Sequence, residues 1–375
     1  MSTMPPLVIF VDAGHWNSFD QLSAVLRRHG CRTVRVTTEG SRVARIIGRL
    51  VYDEQVRVPC IEDGPALRAV LGRDGLADVQ CVETALPAVA AAMEHSGASR
   101  PVLASIQARM RHLDKYALSE TLRESGIRVP QAIPGAVSIA VAAGQLSWPF
   151  MVKRRVGFGG LGVQPVSGFQ DAAEAVARFG GPDEVYFEQM IGGENIAYAS
   201  MRAAGATTTE AVYQKLRFPP ESRGPATSVE LVEDEQMRAI GRASLEAIRL
   251  DGLANLEALR GDDGLLYVND VNLRVWASAL SLKAAGLDFG GDYARFLRGA
   301  PGRTVMSGDG FSQRIDVFPA AAFAMLSSGS WRRAAVLFGS GMKDLGPSLG
   351  LRYCLAAILE FARLSASRRR GRRRR

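Results

Sequence analysis

The sequence contains few cysteines and histidines, and their spacing excludes two kinds of site. Cys31, Cys60, Cys81 and Cys354 show no Cys-x-x-Cys spacing, and the four histidines show no ligand spacing. Structural zinc sites and disulfide frameworks both need such clusters. We therefore expect neither, and the pattern favours a reducing, cytoplasmic compartment.

Long apolar runs are also missing. No segment reaches the roughly 18 consecutive apolar residues of a membrane-spanning helix. The N-terminus, MSTMPPLVIF, has no basic segment followed by a long apolar run. It therefore predicts the approach to a first strand and not a signal peptide.

The body of the chain lacks an excess of charge of either sign. The formal net charge is +8, but residues 368–375 hold seven arginines, and without these seven the net charge is +1. The basicity thus belongs to a short tail and not to a folded basic face, so we expect no nucleic-acid partner.

The 375 residues, of which 47% are hydrophobic and 22% charged, are enough for two or three compact units. Residues 7–12 form an apolar run, a helical stretch covers 18–29, and residues 33–37 form a second strand-like run. This strand–helix–strand order predicts a parallel α/β unit. Farther along, strands dominate from Val129, with helices at 170–179, 233–250 and 276–285, and the last 70 residues look helical or irregular.

A glycine-rich loop follows the strand 150–154. Lys153 lies at the end of that strand, Gly157, Gly159, Gly160 and Gly162 follow, and a strand resumes at once. Glycines let backbone amides turn towards phosphate oxygens, and a lysine supplies charge for the same phosphates. Because a strand and not a helix follows the glycines, this is not a Rossmann fingerprint. An ordinary tight β-hairpin explains the segment equally well.

Carboxylates and amides alternate in three later segments. Glu188 and Glu194 flank a Gly-Gly turn, which suits adenine and ribose contacts but also an exposed surface turn. Asn255 and Glu257 share one face of a strand, and Asp270, Asn272 and Arg274 share a face of the next one. If the intervening turn has an even number of residues, Glu257 and Asp270 face the same way. Such oxygen ligands suit magnesium, whereas a hairpin in which Arg274 neutralises Asp270 is the alternative.

Taken in this order, these segments resemble the ATP-grasp superfamily over about residues 100–300. The run from Asn272 to Ser278, the segment 285–289 and the segments 215–220 and 224–228 are similar to its carboxylate–amine ligase branch. The resemblance implies a pre-ATP-grasp α/β domain at 1–105 and a two-lobed ATP-grasp fold at 106–300. The small lobe would cover about 130–190 and the large lobe 191–300, followed by a helical extension at 301–367 and a basic tail at 368–375.

The resemblance also implies roles for individual residues. Lys115 and Lys153 would contact ATP phosphates beneath the loop of Gly157, Gly159, Gly160 and Gly162. The adenine pocket would use Glu188, Gln189 and Ile191, and Glu194 would bind ribose. Glu257, Asp270 and Asn272 would hold two Mg²⁺ ions. Arg274 and Lys153 would act in catalysis by stabilising the transferring phosphoryl group. The chain departs from the family at Asp270, where glutamate is usual, and at Leu273, where proline is frequent.

As substrates, the resemblance implies a small-molecule carboxylate and an amine, which the sequence does not identify. Candidate substrate contacts are His15 and Asn17, which follow the first strand, and Lys215, Arg217 and Ser228. A helix cap at Asn17 or Ser18 explains the first of these segments equally well. The apolar stripe at 351–364 with the arginine tail is a candidate peripheral membrane contact, against a core-packed last helix with a solvated tail.

Three functions remain open from the sequence. The first is an amide-forming ligase that acts through an acyl phosphate. The second is an ATP-grasp phosphotransferase, which would release a stable phosphorylated product. The third is a nucleotide-binding protein with reduced or no catalysis, against which the combination of Glu257, Asp270, Asn272 and Arg274 argues.

Overall fold

The structure is a computed structural model that describes residues 4–12, 17–38, 42–160, 162–217, 226–300, 305–306, 313–327, 331–345, 354–355 and 358. These residues form three β-sheets with helices packed against them. The first sheet is parallel and the second is antiparallel. The third is antiparallel except where a short strand pairs in parallel with one of its inner strands. This agrees with the predicted mixture of α/β and α+β parts.

The N-terminal sheet has four parallel strands in the order β3-β2-β1-β4. The strands are β1 (Leu7–Asp12), β2 (Arg32–Thr37), β3 (Glu54–Arg57) and β4 (Leu76–Cys81). The helices of this region are α1 (Asn17–Arg28), α2 (Arg42–Val51), α3 (Gly64–Leu71), α4 (Leu86–Met93) and α5 (Arg100–Arg111), with a 3₁₀ helix at Glu83–Ala85. All six residues of β1 are buried, as expected for a central parallel strand covered on both faces.

A small antiparallel sheet follows, in the order β5-β8-β6-β7. Its strands are β5 (Ala132–Pro134), β6 (Phe150–Arg154), β7 (Val163–Val166) and β8 (Val185–Gln189). The helices around it are α6 (Lys115–Glu124), α7 (Ile139–Leu146) and α8 (Phe169–Arg178), with a 3₁₀ helix at Pro182–Glu184. The carboxylate of Asp114 caps α6 by accepting hydrogen bonds from the amides of Tyr116 (2.9 Å) and Ala117 (3.1 Å).

The large sheet has the order β13-β12-β9-β10-β11-β15, and β14 pairs with β10. Its strands are β9 (Glu194–Ala203), β10 (Ala206–Arg217), β11 (Ser228–Leu231), β12 (Gly252–Arg260), β13 (Leu266–Asn272), β14 (Val305–Met306) and β15 (Arg314–Asp316). The helices are α9 (Glu235–Ile248), α10 (Phe289–Leu297), α11 (Ala320–Ser327) and α12 (Trp331–Leu345), with a 3₁₀ helix at Ser281–Ala285.

Two predicted details of the C-terminal half are wrong. The helix at 276–285 is reduced to the 3₁₀ helix Ser281–Ala285, because the preceding loop is held by distant partners. The amide of Val275 donates to the side-chain oxygen of Gln80 (3.3 Å), and the Ser278 hydroxyl bonds the Tyr213 hydroxyl (3.1 Å). The last 70 residues also contribute the strand β15, which has only three residues and therefore no readable alternation.

The N-terminal sheet and one face of the large sheet share a continuous apolar core. The opposite face of the large sheet packs against α9 and α6 in a second core, and the small sheet has a core of its own. The small sheet thus has an apolar core that is separate from the two cores of the large sheet. The domain boundaries themselves stay predictions.

Within the described residues, no helix combines the length and the apolar character that crossing a membrane requires. The predicted amphipathic stripe at 351–364 and the arginine tail lie outside the described residues, apart from positions 354, 355 and 358.

Candidate active site

A cavity of about 370 Å³ lies between the small and the large sheet. The glycine loop after β6, strand β8 and strands β10, β12 and β13 all contribute to its walls. Most predicted site residues line it: Lys115, Lys153, Gly157, Gly159, Gly160, Gly162, Glu188, Gln189, Ile191, Lys215, Glu257, Asp270, Asn272 and Arg274. The structure therefore brings together segments that are up to about 160 residues apart.

A β-bulge in β13 aligns the predicted metal ligands. Glu257 and Asp270 lie directly opposite each other, and Ala258 pairs with Val268, so Asn269 is the extra residue. The turn between the paired residues Arg260 and Leu266 has five residues, 261–265. This odd number does not meet the condition of an even turn, under which Glu257 and Asp270 were expected to face the same way. The bulge supplies the missing residue, and both Asn269 and Asp270 face the cavity.

Three lysines in the cavity each form an ion pair with a carboxylate. Lys115 pairs with Asp270, Lys153 with Glu188 and Lys215 with Glu257. The side chains of Lys153 and Glu188 are 9% and 5% exposed, so this pair is almost entirely removed from water. Because an unpaired charge at this depth is very unfavourable, each of these buried lysines and carboxylates needs a partner of opposite charge, and the pairs supply it.

The pairs also determine the protonation of the carboxylates. Burial tends to raise the pKa of Asp270, but Lys115, Lys153 and Lys215 outweigh it, and the net pKa lies below the ordinary 3.8. For Glu188, burial raises the pKa above its ordinary 4.5, and Lys153 offsets this only in part. Burial tends to lower the pKa of Lys115, but the nearby Asp270 carboxylate outweighs burial and the net pKa is raised. Lys115 therefore stays protonated. Asp270 is accordingly ionised at neutral pH, as a metal ligand must be.

Arg274 is held by a residue that the sequence analysis missed. Its Nε donates to the carboxylate of Glu83, at 3.1 Å from Oε1, and its Nη1 donates to the carbonyl of Val275 (3.0 Å). Glu83 opens the 3₁₀ helix after β4, at the carboxyl end of the parallel sheet. Ligand-binding residues collect at that end of parallel strands, and this rule is the signal that could have identified Glu83.

The glycine loop requires glycine at several positions. Gly159 and Gly160 have φ values of +63° and +74°, which L-residues rarely adopt. A Cβ atom at Gly162 would lie 2.9 Å from the Cβ of Arg154, closer than two side chains can approach. At these glycines the backbone reaches the cavity wall without a side chain in between, which suits phosphate binding.

Two buried amides in the cavity wall were also missed. The Oδ1 atoms of Asn195 and Asn269 have no hydrogen-bond partner among the described residues. A buried acceptor without a partner is unfavourable unless a ligand supplies the donor. Apolar side chains complete the wall: Met151, Phe158, Val163, Met190 and Leu259. An apolar wall with a few polar groups fits a nucleotide base.

Two other predicted contacts, Glu194 and Ser228, are not among the described residues that line this cavity. Glu194 begins β9 and is exposed. Ser228 is buried at the start of β11, where its hydroxyl bonds the Asp316 carboxylate (3.1 Å) and accepts from Arg314 (3.1 Å). His15 lies outside the described residues, as do the side chains of Asn17 and Arg217.

Comparison with solved structures identifies the fold. N5-carboxyaminoimidazole synthetase from Staphylococcus aureus, complexed with ADP, matches with a TM-score of 0.65 and 16% identity over 80% of each chain. Carboxyaminoimidazole ribonucleotide synthase from Aspergillus clavatus, complexed with ATP, matches with a TM-score of 0.63 and 17% identity over 80% of this chain and 79% of that one. The chain has an ATP-grasp fold.

The same ATP-grasp fold occurs in the L-amino acid ligase from Bacillus licheniformis. Here the TM-score is 0.60 and the identity 17%, over 79% of this chain and 75% of that one. No family model and no curated protein sequence matches this chain. At such identities the comparisons establish the ATP-grasp fold, and the chemistry has to be argued from the cavity.

Proposed function

We propose that the protein is an ATP-dependent carbon–nitrogen ligase that joins a small-molecule carboxylate to an amine. The observation that carries this proposal is the shared face of Glu257, Asp270 and Asn272 in one cavity with Arg274, Lys115, Lys153 and Lys215. Two of the similar structures are synthetases complexed with ADP or ATP, and a third is an amino acid ligase.

The cavity suits magnesium-ATP. Lys115, Lys153 and the glycine loop would contact the phosphates, and Gln189 and Ile191 would line the base beside the apolar wall. Glu188 remains the predicted adenine contact and Glu194 the predicted ribose contact. The oxygens of Glu257, Asp270 and Asn272 fit two Mg²⁺ ions, because magnesium prefers carboxylate and amide oxygens. When bound, the ions would neutralise phosphate charge and orient the γ-phosphoryl group for in-line transfer.

The chain's own residues would act mainly by positioning and by charge. The substrate carboxylate attacks the γ-phosphorus, the bond to the bridging oxygen breaks, and ADP leaves. Lys153 and Arg274 would offset the charge that develops on the transferring group. The amine nitrogen then attacks the carbonyl carbon of the acyl phosphate, phosphate departs, and the amine loses a proton. Closure of the glycine loop over the cavity would exclude water from the intermediate.

This proposal keeps the predictions about the substrate contact, the domain bounds and the location of the protein. Lys215 lies in the cavity beside Glu257, so it is the candidate substrate contact that the geometry supports best. The units 1–105, 106–300 and 301–367, a cytoplasmic location and a membrane contact of the basic tail are kept as predictions.

A screen of acid–amine pairs by mass spectrometry tests the proposal. We expect a product lighter by one water than the sum of its two substrates, with one ADP released for each product molecule. Asp270→Asn should lower product formation by about 100-fold or more, because a charged metal ligand is lost. Asp171→Asn, on the exposed surface of α8, is the matched control and should change nothing.

Two outcomes would contradict the ligase. ATP binding without turnover for any pair would favour a nucleotide-binding protein. A stable phosphorylated acid that accumulates without amide would favour a phosphotransferase.

A further inference from the structure

A second cavity, of about 270 Å³, lies on the other face of the large sheet. Directly paired residues share a face of a sheet, and Glu257, Ala197 and Tyr213 form such a row on the side of the catalytic cavity. Arg202 and its partner Thr207 lie on the opposite face, as do Ser200 and Glu210. The second cavity is therefore separated from the catalytic one by the thickness of the sheet.

Arg202 is the central cation of this second cavity. Its side chain is only 7% exposed, and its Nη1 atom has no hydrogen-bond partner among the described residues. Its Nη2 donates to the carbonyl of Gly205 (2.7 Å) and lies 3.8 Å from the carboxylate of Glu246. The Glu246 side chain is 83% exposed, so water screens most of that interaction.

Among the buried side chains of this cluster, the two arginines Arg202 and Arg238 outnumber the one carboxylate, Glu210. Glu210 is fully buried and accepts hydrogen bonds from Arg238 (2.9 Å), Arg242 (3.0 Å) and Tyr198 (2.7 Å). One buried carboxylate is thus shared by two arginines before Arg202 is counted. The other acidic side chains nearby are exposed to water: Glu235 and Glu246 are both 83% exposed, and Asp251, which accepts from the amide of Gly205 (3.0 Å), is exposed as well.

We propose that this cavity binds a small oxyanion, either a phosphate or a carboxylate group. The Nη1 of Arg202 would donate to the ligand, Arg242 would add charge, and the neighbouring Thr207 and Thr208 would line the site. Guanidinium groups suit such ligands because their donors match the geometry of carboxylate and phosphate oxygens. The proposal is independent of the ligase assignment, since no residue of the catalytic cavity takes part.

The test is thermal unfolding of the full chain, titrated with inorganic phosphate or with acetate at constant ionic strength. We expect a saturable rise in melting temperature with at least one of them, and the ion with the lower Kd identifies the preferred class. Arg202→Gln should weaken that Kd at least tenfold. Lys153→Gln, in the catalytic cavity, should leave the effect in place. Arg68→Gln, on the exposed surface of α3, is the matched arginine control.

Three outcomes would overturn the proposal: no saturable shift with either ion, a shift that survives Arg202→Gln, or a shift that is lost in Lys153→Gln alone. If Arg202→Gln does not fold, hydrogen–deuterium exchange on the unmodified chain decides. Saturating anion should then slow exchange in the hairpin around Gly205 and Thr208, and unchanged exchange there would refute the site.

Discussion

At the scale of single residues, the catalytic cavity keeps each lysine beside a carboxylate. The pair Lys153–Glu188 is the most buried of the three. A buried pair of this kind is costly to break from one side, since the remaining charge has no partner. Lys153 can leave Glu188 to contact a phosphate only when Glu188 gains a proton or another hydrogen-bond donor. Phosphate binding is therefore linked to the protonation and pairing of Glu188.

Lys153→Met should therefore destabilise the protein by about 3–5 kcal/mol at neutral pH. The raised pKa of Glu188 sets the pH dependence. The Glu188 carboxyl takes up a proton more readily in the folded state than in the unfolded chain. The loss of stability caused by Lys153→Met should therefore grow as pH rises above 4.5 and shrink below it. Urea unfolding at several pH values measures this.

The double variant Lys153→Met with Glu188→Gln serves as the control, because it removes the unpaired charge. It should regain most of the lost stability while nucleotide binding stays absent. Lys283→Met breaks the pair with Asp288, in which the lysine is 41% exposed, and should cost less than about 1 kcal/mol. Equal instability of the single and double variants would contradict the explanation.

At the scale of secondary-structure elements, the bulge in β13 gives the cavity one more polar residue than a regular strand would. Asn269 faces the site, and its Oδ1 has no partner among the described residues. Asn269→Ala should consequently weaken ADP binding by about tenfold, or about 1.4 kcal/mol, without lowering the free energy of unfolding. Calorimetric titration and urea unfolding of the same samples test this. A loss of stability without a loss of affinity would show that the amide is structural.

Helix α9 is attached to the back of the large sheet through Glu210. Hydrogen bonds from Arg242, Tyr198 and Arg238 outweigh burial and keep the pKa of Glu210 below its ordinary 4.5. A carboxylate with a lowered pKa in the folded state contributes stability above that pH and loses it as pH falls. Glu210→Gln should cost about 3–5 kcal/mol at pH 7, and the difference from the unmodified chain should shrink below pH 4.5.

Unfolding in urea across this pH range measures the effect. Glu246→Gln, on the exposed side of the same helix, should show no such convergence. If Glu210→Gln lowers the free energy of unfolding by the same amount at pH 7 and at acid pH, the Glu210 charge does not stabilise the protein.

At the scale of the whole molecule, residues at the end of the N-terminal sheet contact the segment that carries Arg274 into the cavity. Glu83 holds Arg274 from a position 191 residues away, and the Gln80 side chain binds the amide of Val275. Glu83→Gln should lower kcat about tenfold to 100-fold and leave ADP affinity unchanged, because Arg274 would lose its orientation while the nucleotide contacts stay intact. Glu94→Gln, at the exposed end of α4, is the matched control. Weaker ADP binding in Glu83→Gln would contradict this division of roles.

The sequence predicts most of this architecture because its strands and helices have a clear period. β1, α1, β2, β6, α8 and α9 all lie within two residues of their predicted bounds. It also predicts most cavity residues, since Lys153, Glu257 and Asp270 lie in recognisable runs. It does not predict Glu83, Asn195 or Asn269, whose positions depend on packing between distant segments and on a bulge. Residues 276–280 were predicted as the start of a helix, but they form a loop because tertiary contacts, not local preference, determine its course.

The contact between Glu83 and Arg274 limits which parts of this protein can be exchanged with those of a related protein in a chimera. A gene fusion that keeps the nucleotide-binding part but exchanges the N-terminal sheet would leave the Arg274 guanidinium buried without its counter-charge. Chimeras should work only when Glu83, Gln80 and the segment from Arg274 to Val275 come from the same parent. The two halves of the molecule are thus expected to change together over evolution, even though each has a recognisable fold of its own.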